Sequence, residues 1–157
     1  MIGFFCNVML ALAWVALSGS LTAMNFLAGF VFGFLALMAL QNQVAVLDGY
    51  GRRLLRFIAF IFYFIIALFK ANFRVAYDIA TPVWYMKPGV IGLPLAARTD
   101  TEIMFLSSLI SLTPGTLSLD VSDDRRVLFI HAMFLQDEEA LRSELKDLEH
   151  RLLRIMR

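Results

Sequence analysis

The beginning of the chain carries no charged side chain. No Asp, Glu, Lys or Arg occurs between Met1 and Leu47, and the first charged residue is Asp48. A stretch this apolar cannot supply the polar surface that a soluble domain needs, whereas roughly 20 apolar residues in a helix are enough to cross ~30 Å of hydrocarbon. The sequence therefore predicts membrane helices in this part of the chain.

Turn-forming residues divide the apolar sequence into three segments. A Ser-Gly-Ser sequence at residues 18–20 ends the first, and Asp-Gly-Tyr-Gly at residues 48–51 ends the second. No basic residue precedes the first segment and another apolar run follows it at once, so we expect a retained membrane anchor and not a cleaved signal peptide. The transmembrane helical region is predicted over residues 1–81, with segments at about 1–17, 22–47 and 54–80.

The third segment leaves the number of membrane crossings open. Its apolar centre, Phe57 to Phe69, is short for a span unless Arg56 and Lys70 extend to the two interfaces. Basic residues flank this centre on both sides, so the excess of Lys and Arg that marks cytoplasmic loops does not decide the orientation. Either three segments cross with the amino terminus outside, or two cross and the third is partly embedded from the inner face. Both arrangements leave the following domain in the cytoplasm.

Residues 82–157 have the periodicity of a small α+β domain of order β-α-β-β-α. Strands are predicted at Val90–Leu95, Leu117–Val121 and Val127–Ala132. Thr99 or Asp100 is suited to cap the helix that follows the first strand. A last helix begins near Asp137 and carries one apolar stripe that we expect to face the sheet, formed by Leu141, Leu145, Leu148, Leu152 and Ile155. The predicted fold is thus two to three apolar membrane helices followed by a small cytoplasmic α+β domain.

Two features of the second segment are candidates for helix packing. Gly29 and Gly33 form a Gly-xxx-Gly pair, which lets the backbone of another helix approach closely. Asn25 lies one turn earlier, and its amide is suited to hydrogen bonding between helices. We therefore predict a helix–helix interface at Gly29, Gly33 and Asn25.

No residue pattern predicts an active site. Ion movement through a bilayer normally requires ionisable groups inside it, and the first two segments have none. The two histidines, His131 and His150, have no partner at metal-ligand spacing. No Ser-His-Asp arrangement, glycine-rich phosphate loop or cysteine cluster occurs. We expect no catalytic, cofactor-binding or metal-binding residue, and the chain is not expected to be an enzyme.

The segment from Ser111 to Phe134 resembles a known family, the E subunits of the bacterial multi-subunit Na+/H+ antiporters of the Mrp or Mnh type. The similarity lies in Leu-Thr-Pro-Gly-Thr-Leu at 112–117, Asp-Val-Ser at 120–122 and Val-Leu-Phe-Ile-His-Ala-Met at 127–133, and it extends to residues 14–34 and 72–95. By this resemblance, a structural turn is expected at Thr113, Pro114, Gly115 and Thr116. The family strand usually ends in His-x-Leu-Asp, whereas Met133 and Phe134 follow Ala132 here, a difference that we expect a loop to tolerate.

The resemblance implies a small subunit of a large assembly in the bacterial inner membrane. That assembly would export Na+ in exchange for H+, driven by the proton-motive force. Its large antiporter-like subunits would hold the ion-conducting residues, so this multi-pass chain would support assembly and stability. The implied partners are those large subunits, other small membrane subunits and the lipid bilayer. Net charge is +1, and no nucleic-acid partner is expected. The alternative hypothesis is a stand-alone membrane-anchored binding module whose α+β domain recognises a cytoplasmic ligand or protein.

Overall fold

The computed structural model describes residues 2–41, 44, 49–82 and 86–157. The elements in these ranges are α1 (Ile2–Ser18), α2 (Ala23–Leu40), α3 (Tyr50–Ala80), β1 (Gly89–Pro94), α4 (Asp100–Leu112), β2 (Thr116–Val121), β3 (Val127–Ala132) and α5 (Glu138–Met156). The chain forms two compact units, Met1–Ile58 and Ala59–Arg157. The two units are defined by contacts between residues and not by exposure to a membrane. The predicted end of the transmembrane region at residue 81 therefore stays a prediction.

The first unit is built on the antiparallel pair α1 and α2. Gly19 has a φ of 67°, a left-handed conformation that glycine adopts without strain. The hydroxyl of Thr22 then caps α2 by accepting a hydrogen bond from the Asn25 N–H. Helix α2 ends at Leu40. The second predicted segment continues to Leu47, and most of residues 41–47 lie outside the described residues.

Two of the described helices are long and apolar enough to cross a membrane. They are α2 and α3, whereas α1 is a shorter apolar helix of 17 residues. Helix α3 has 31 residues, which corresponds to about 46 Å at ~1.5 Å per residue. The predicted third segment is therefore one continuous helix that ends just before Pro82, because proline cannot continue a helix.

The second unit contains an antiparallel three-stranded sheet of order β1-β3-β2. Inward side chains of β1 and β3 meet α4 and α5, which both lie on one face of the sheet. The buried core is formed by Ile91, Leu93, Leu106, Ile110, Leu128, Ile130, Leu145, Leu148 and Leu152. The predicted β-α-β-β-α order is confirmed, and so is the packing of the α5 stripe against the sheet.

Local hydrogen bonds define the ends of α4. The Thr99 hydroxyl accepts from the Glu102 N–H at 3.2 Å, and the Glu102 carboxylate accepts from the Thr99 N–H at 3.3 Å, which forms a capping box. The cap is thus Thr99 and not Asp100. At the other end, Gly115 has a φ of 89° and turns the chain from α4 into β2.

Candidate functional site

The Gly-xxx-Gly pair of α2 lies against α1 of the same chain. A Cβ atom placed on Gly29 would be 2.8 Å from the Cβ of Trp14. A Cβ atom on Gly33 would clash with the Oδ1 of Asn7 and would lie 3.1 Å from the Cβ of Leu10. Both glycines are buried, so the close approach that they permit is made by α1. The importance of this contact for assembly with other subunits stays a prediction.

Asn7 is the buried polar residue of this helix pair. Its exposed fraction is 0%, and its side-chain Nδ2 donates a hydrogen bond to the Tyr50 hydroxyl at 3.0 Å. Its Oδ1 is buried without a hydrogen-bond partner among the described residues. The buried positions of α1 are Gly3, Asn7, Ala11 and Val15. This four-residue spacing of mostly small side chains was the available signal for the α1 contact face, but no sequence signal indicated Tyr50.

Asn25 forms its hydrogen bonds within the turn between α1 and α2. Its Nδ2 donates to the Ser20 carbonyl at 3.1 Å, to the Ser18 hydroxyl at 3.3 Å and to the Ser20 hydroxyl. The amide donors are therefore already used in holding the hairpin closed. The three residues predicted as an interface lie on one hairpin, where Gly29 and Gly33 face α1 and Asn25 holds the turn.

The Thr113–Thr116 turn connects three elements of the second unit. The Thr116 hydroxyl donates to the Ile110 carbonyl at 2.7 Å, and the Thr113 hydroxyl donates to the Leu109 carbonyl at 3.1 Å. These bonds satisfy carbonyl groups at the end of α4 that have no helical partner. The Gly115 carbonyl accepts from the Met133 N–H at 2.8 Å, which ties the turn to the end of β3.

Phe134 covers this turn. Two of its ring atoms lie 3.4 Å from where a Cβ atom on Gly115 would be. The residue also lines a groove of about 300 Å³ that the turn shares with α3 and α5. Phe134, where the sequence differs from the family pattern, therefore packs against the turn and does not lie in a free loop. The sequence did not indicate this contact.

Two buried carboxylates hold the connection between β1 and α4. Glu149 is 0% exposed, and its Oε1 accepts from the N–H groups of Ala96 and Ala97 at 2.7 and 2.9 Å. Glu102 accepts from Arg157 at 2.9 Å. The hydrogen bond from Arg157, with others from the backbone of Arg98 and Thr99, lowers the pKa of Glu102 to about 2. These contacts join α5 to the rest of the domain, and sequence reasoning missed both carboxylates.

The contacts described above stabilise the packing of helices and strands within each unit. In the described part of the chain, no three His, Cys, Asp or Glu side chains lie where they could hold a metal ion. His131 lies on β3 and His150 on α5. The glycine contact, the turn and the buried carboxylates all act on packing, and no catalytic activity is indicated.

A family model and a similar sequence name the same family. The family model described as a Na+/H+ ion antiporter subunit matches residues 7–155. The E subunit of the Na(+)/H(+) antiporter of Alkalihalophilus pseudofirmus is 38% identical over 141 residues, which are 90% of this chain and 89% of that protein. A chain in the structure of the Mrp complex from Dietzia sp. DQ12-45-1b is 33% identical with a TM-score of 0.50, over 66% of this chain and 97% of that chain. A chain of the membrane-bound sulfane sulfur reductase (MBS), an archaeal respiratory membrane complex, is 30% identical with a TM-score of 0.60, over 98% of both chains.

Proposed function

The chain belongs to the family of Na+/H+ antiporter E subunits, and on this premise we propose that it is a supporting subunit whose partners hold the ion path. It is a membrane protein of a multi-subunit antiporter that exchanges Na+ for H+. Its own task is to hold neighbouring membrane subunits in place.

One observation carries this assignment, namely the distribution of ionisable groups. Residues Met1 to Leu47 contain no Asp, Glu, Lys or Arg, and the buried polar contact of the first unit is a neutral pair, Asn7 and Tyr50. Transport of Na+ or H+ needs groups that bind a cation or exchange a proton within the membrane. Helices α1 and α2 lack such groups, and we therefore assign the antiport chemistry to other subunits.

The three residues predicted as an interface have a definite part in this proposal. Gly29, Gly33 and Asn25 hold the α1–α2 hairpin in one shape, and the hairpin then offers its outer surface to the partner subunits. The large side chains exposed on that surface suit contact with lipid or with other membrane helices. The turn at Thr113–Thr116 holds the α+β domain. We place this domain in water because α5 carries many charged side chains, and we propose that the cytoplasm is its side of the membrane.

Deletion of the gene for this chain tests the proposal. We expect the remaining subunits, purified through an affinity tag on a large subunit, to give less intact complex, and everted vesicles to lose Na+/H+ exchange. Wild-type chain supplied from a plasmid should restore both. Undiminished exchange in the deletion strain, together with purification of this chain alone, would contradict a supporting role and would favour a stand-alone module.

A further inference from the structure

The beginning of the α3 stretch at residues 59–80 packs against the α+β domain of its own unit. Phe60, Tyr63 and Phe64 contact the buried core of that domain. The Arg151 guanidinium of α5 lies 4.2 Å from the centre of the Tyr63 ring, which is within cation–π distance. This part of α3 is therefore held against a helix with a charged outer surface.

The charges at this contact disfavour a bilayer-crossing position for the same stretch. Arg151 forms an ion pair with Asp147 at 2.8 Å, and both side chains are 47% exposed. Hydrogen bonds from Arg151 and from the Tyr63 hydroxyl hold the pKa of Asp147 below its usual value. A charged side chain at the centre of a bilayer costs about 2.5–3.5 kcal/mol even on insertion scales. Because Tyr63 contacts Arg151, a crossing would bring Arg151 and its partner Asp147 toward hydrocarbon.

The opposite face of this stretch is apolar and uncovered. Phe62, Phe69 and Phe73 are 63%, 62% and 72% exposed. The large apolar side chains exposed along this stretch are Ile61, Phe62, Ile65, Ile66, Phe69, Phe73, Tyr77 and Ile79. A largely apolar surface of this kind, with the exposed Asn72 near its edge, marks a contact with protein or membrane.

All charged residues of this stretch lie on the side of the helix that faces the domain. They are Lys70, Arg74 and Asp78. At ~100° per residue they fall within an arc of about 100° that also contains Phe60 and Tyr63. A polar face with basic residues opposite a face of Phe and Ile is typical of helices that lie in the membrane interface, where the basic residues also attract anionic headgroups.

The outer face differs from the helix contact in α2. Gly29 and Gly33 let α1 approach closely, as packed membrane helices require, whereas the centre of the α3 face carries phenylalanine and isoleucine. Bulky apolar side chains bordered by the exposed basic residues Lys70 and Arg74 suit acyl chains next to anionic headgroups. The charge segregation and this composition favour lipid as the occupant.

We propose that residues 59–80 of α3 lie along the surface of the bilayer, with the Phe62, Phe69 and Phe73 face among the acyl chains and the α+β domain on the aqueous side. The stretch is then not a third crossing. The basic residues before and after it lie on one side of the membrane, and the excess of Lys and Arg in cytoplasmic loops places the domain in the cytoplasm. This proposal rests on the family only for the presence of a bilayer, and it does not require the supporting role.

Depth measurements on the intact complex test the proposal. In a Cys6→Ser background, single cysteines are introduced at each position from 61 to 79 and labelled with a nitroxide. The complex is placed in liposomes of phosphatidylethanolamine and phosphatidylglycerol, and accessibility to oxygen and to a water-soluble nickel chelate gives the depth of each label. The same labels at Leu27, Val31 and Leu35, which are exposed on α2, provide the profile of a candidate crossing helix.

The profile expected for α3 repeats with the helical period. Labels on the Phe62, Phe69 and Phe73 face should all lie about 5–10 Å deep, with no trend along the helix. A single maximum near ~15 Å at the centre of the scan would show a crossing and overturn the proposal. Labels on this face that are shielded from both oxygen and the nickel chelate would show that another subunit covers it, and would overturn it as well.

A charge placed on the outer face gives an independent test. Phe69→Glu should lift this stretch from the acyl chains, so that trypsin cleaves at Lys70 and Arg74 severalfold faster in the complex in liposomes. Met104→Glu is the matched control, because Met104 is 57% exposed on α4 and should leave cleavage unchanged. Equal cleavage rates in the two variants would contradict a membrane-surface position. Loss of Na+/H+ exchange in either variant would not bear on this result, because cleavage is measured in the assembled complex.

Discussion

Each of the two compact units of this chain is stabilised by a different kind of internal contact. In Met1–Ile58, the α1–α2 contact depends on glycines that let Trp14 and Asn7 approach. In Ala59–Arg157, nine buried apolar residues form a core and side chains such as Glu149 bond to distant backbone groups. The difference follows from the solvent. Lipid gives helices no hydrophobic reason to associate, so close fit decides, whereas water drives burial in the domain.

The largest effect is expected for Gly29→Leu. A leucine cannot fit where even a Cβ atom would be 2.8 Å from the Cβ of Trp14, so α1 and α2 should separate and intact complex should be lost. Yield of complex from membranes measures this. Ala39→Leu, at an exposed position of α2, is the matched control and should keep the yield. A normal yield of complex for Gly29→Leu would show that the close contact between α1 and α2 at Gly29 does not stabilise the first unit.

Leu106→Ala tests the importance of burial in the second unit. Leu106 is 0% exposed, and truncation of such a residue costs about 2–5 kcal/mol because it loses contacts and leaves a cavity. Leu117→Ala, at a position 50% exposed on β2, should cost less than about 1 kcal/mol. Thermal unfolding of the full chain in detergent compares the two variants. Similar losses of stability in the two variants would show that the buried core is not the main source of this domain's stability.

Gly33→Ala distinguishes a contact within the chain from one with another subunit. Overpacking against Asn7 should destabilise the hairpin by about 1–3 kcal/mol. The second substitution Asn7→Ala removes the clashing Oδ1 and should restore most of the loss, as measured by thermal stability and complex yield in a double-mutant cycle. Purely additive effects would mean that α1 is not the partner of Gly33.

A smaller loss is expected at the turn after α4. Gly115→Ala forces a side chain into a left-handed conformation, with φ at 89°, and should cost about 1–2 kcal/mol of unfolding free energy. Pro114→Ala removes only a restriction on the unfolded chain and should cost about 0.4–1 kcal/mol. Chemical unfolding followed by circular dichroism compares the two. If Pro114→Ala lowered the unfolding free energy more than Gly115→Ala, the left-handed conformation of Gly115 would not be the main contribution of this turn to stability.

The smallest effect is the pH dependence contributed by Glu102. Because its pKa falls from 4.5 to about 2 on folding, its ionised form stabilises the domain above about pH 4.5, and this contribution is lost as the pH falls toward 2. Wild-type protein should therefore melt above Glu102→Gln at pH 6, and the difference should shrink at pH 3. The exposed partner Arg157 keeps the effect small. A constant difference across this range would contradict the lowered pKa.

Patterns within single elements were predictable from the sequence. The strands at Val127–Ala132 and near Val90, the cap near Thr99 and the stripe of α5 follow from side-chain period and local hydrogen bonding, which involve neighbours in sequence. The family resemblance, carried by the same segment, is confirmed by the comparisons. The Gly-xxx-Gly pair was visible too, but its partner α1 was not.

Contacts between residues distant in sequence were decided by the tertiary structure. The sequence by itself determined that the chain enters a membrane and then forms a small α+β domain, because apolar length and periodicity are local properties. Only the folded chain paired Asn7 with Tyr50, placed Phe134 over Gly115 and set Tyr63 against Arg151. Such pairings depend on which surfaces meet in space, and a one-dimensional pattern of apolar and charged residues does not record that.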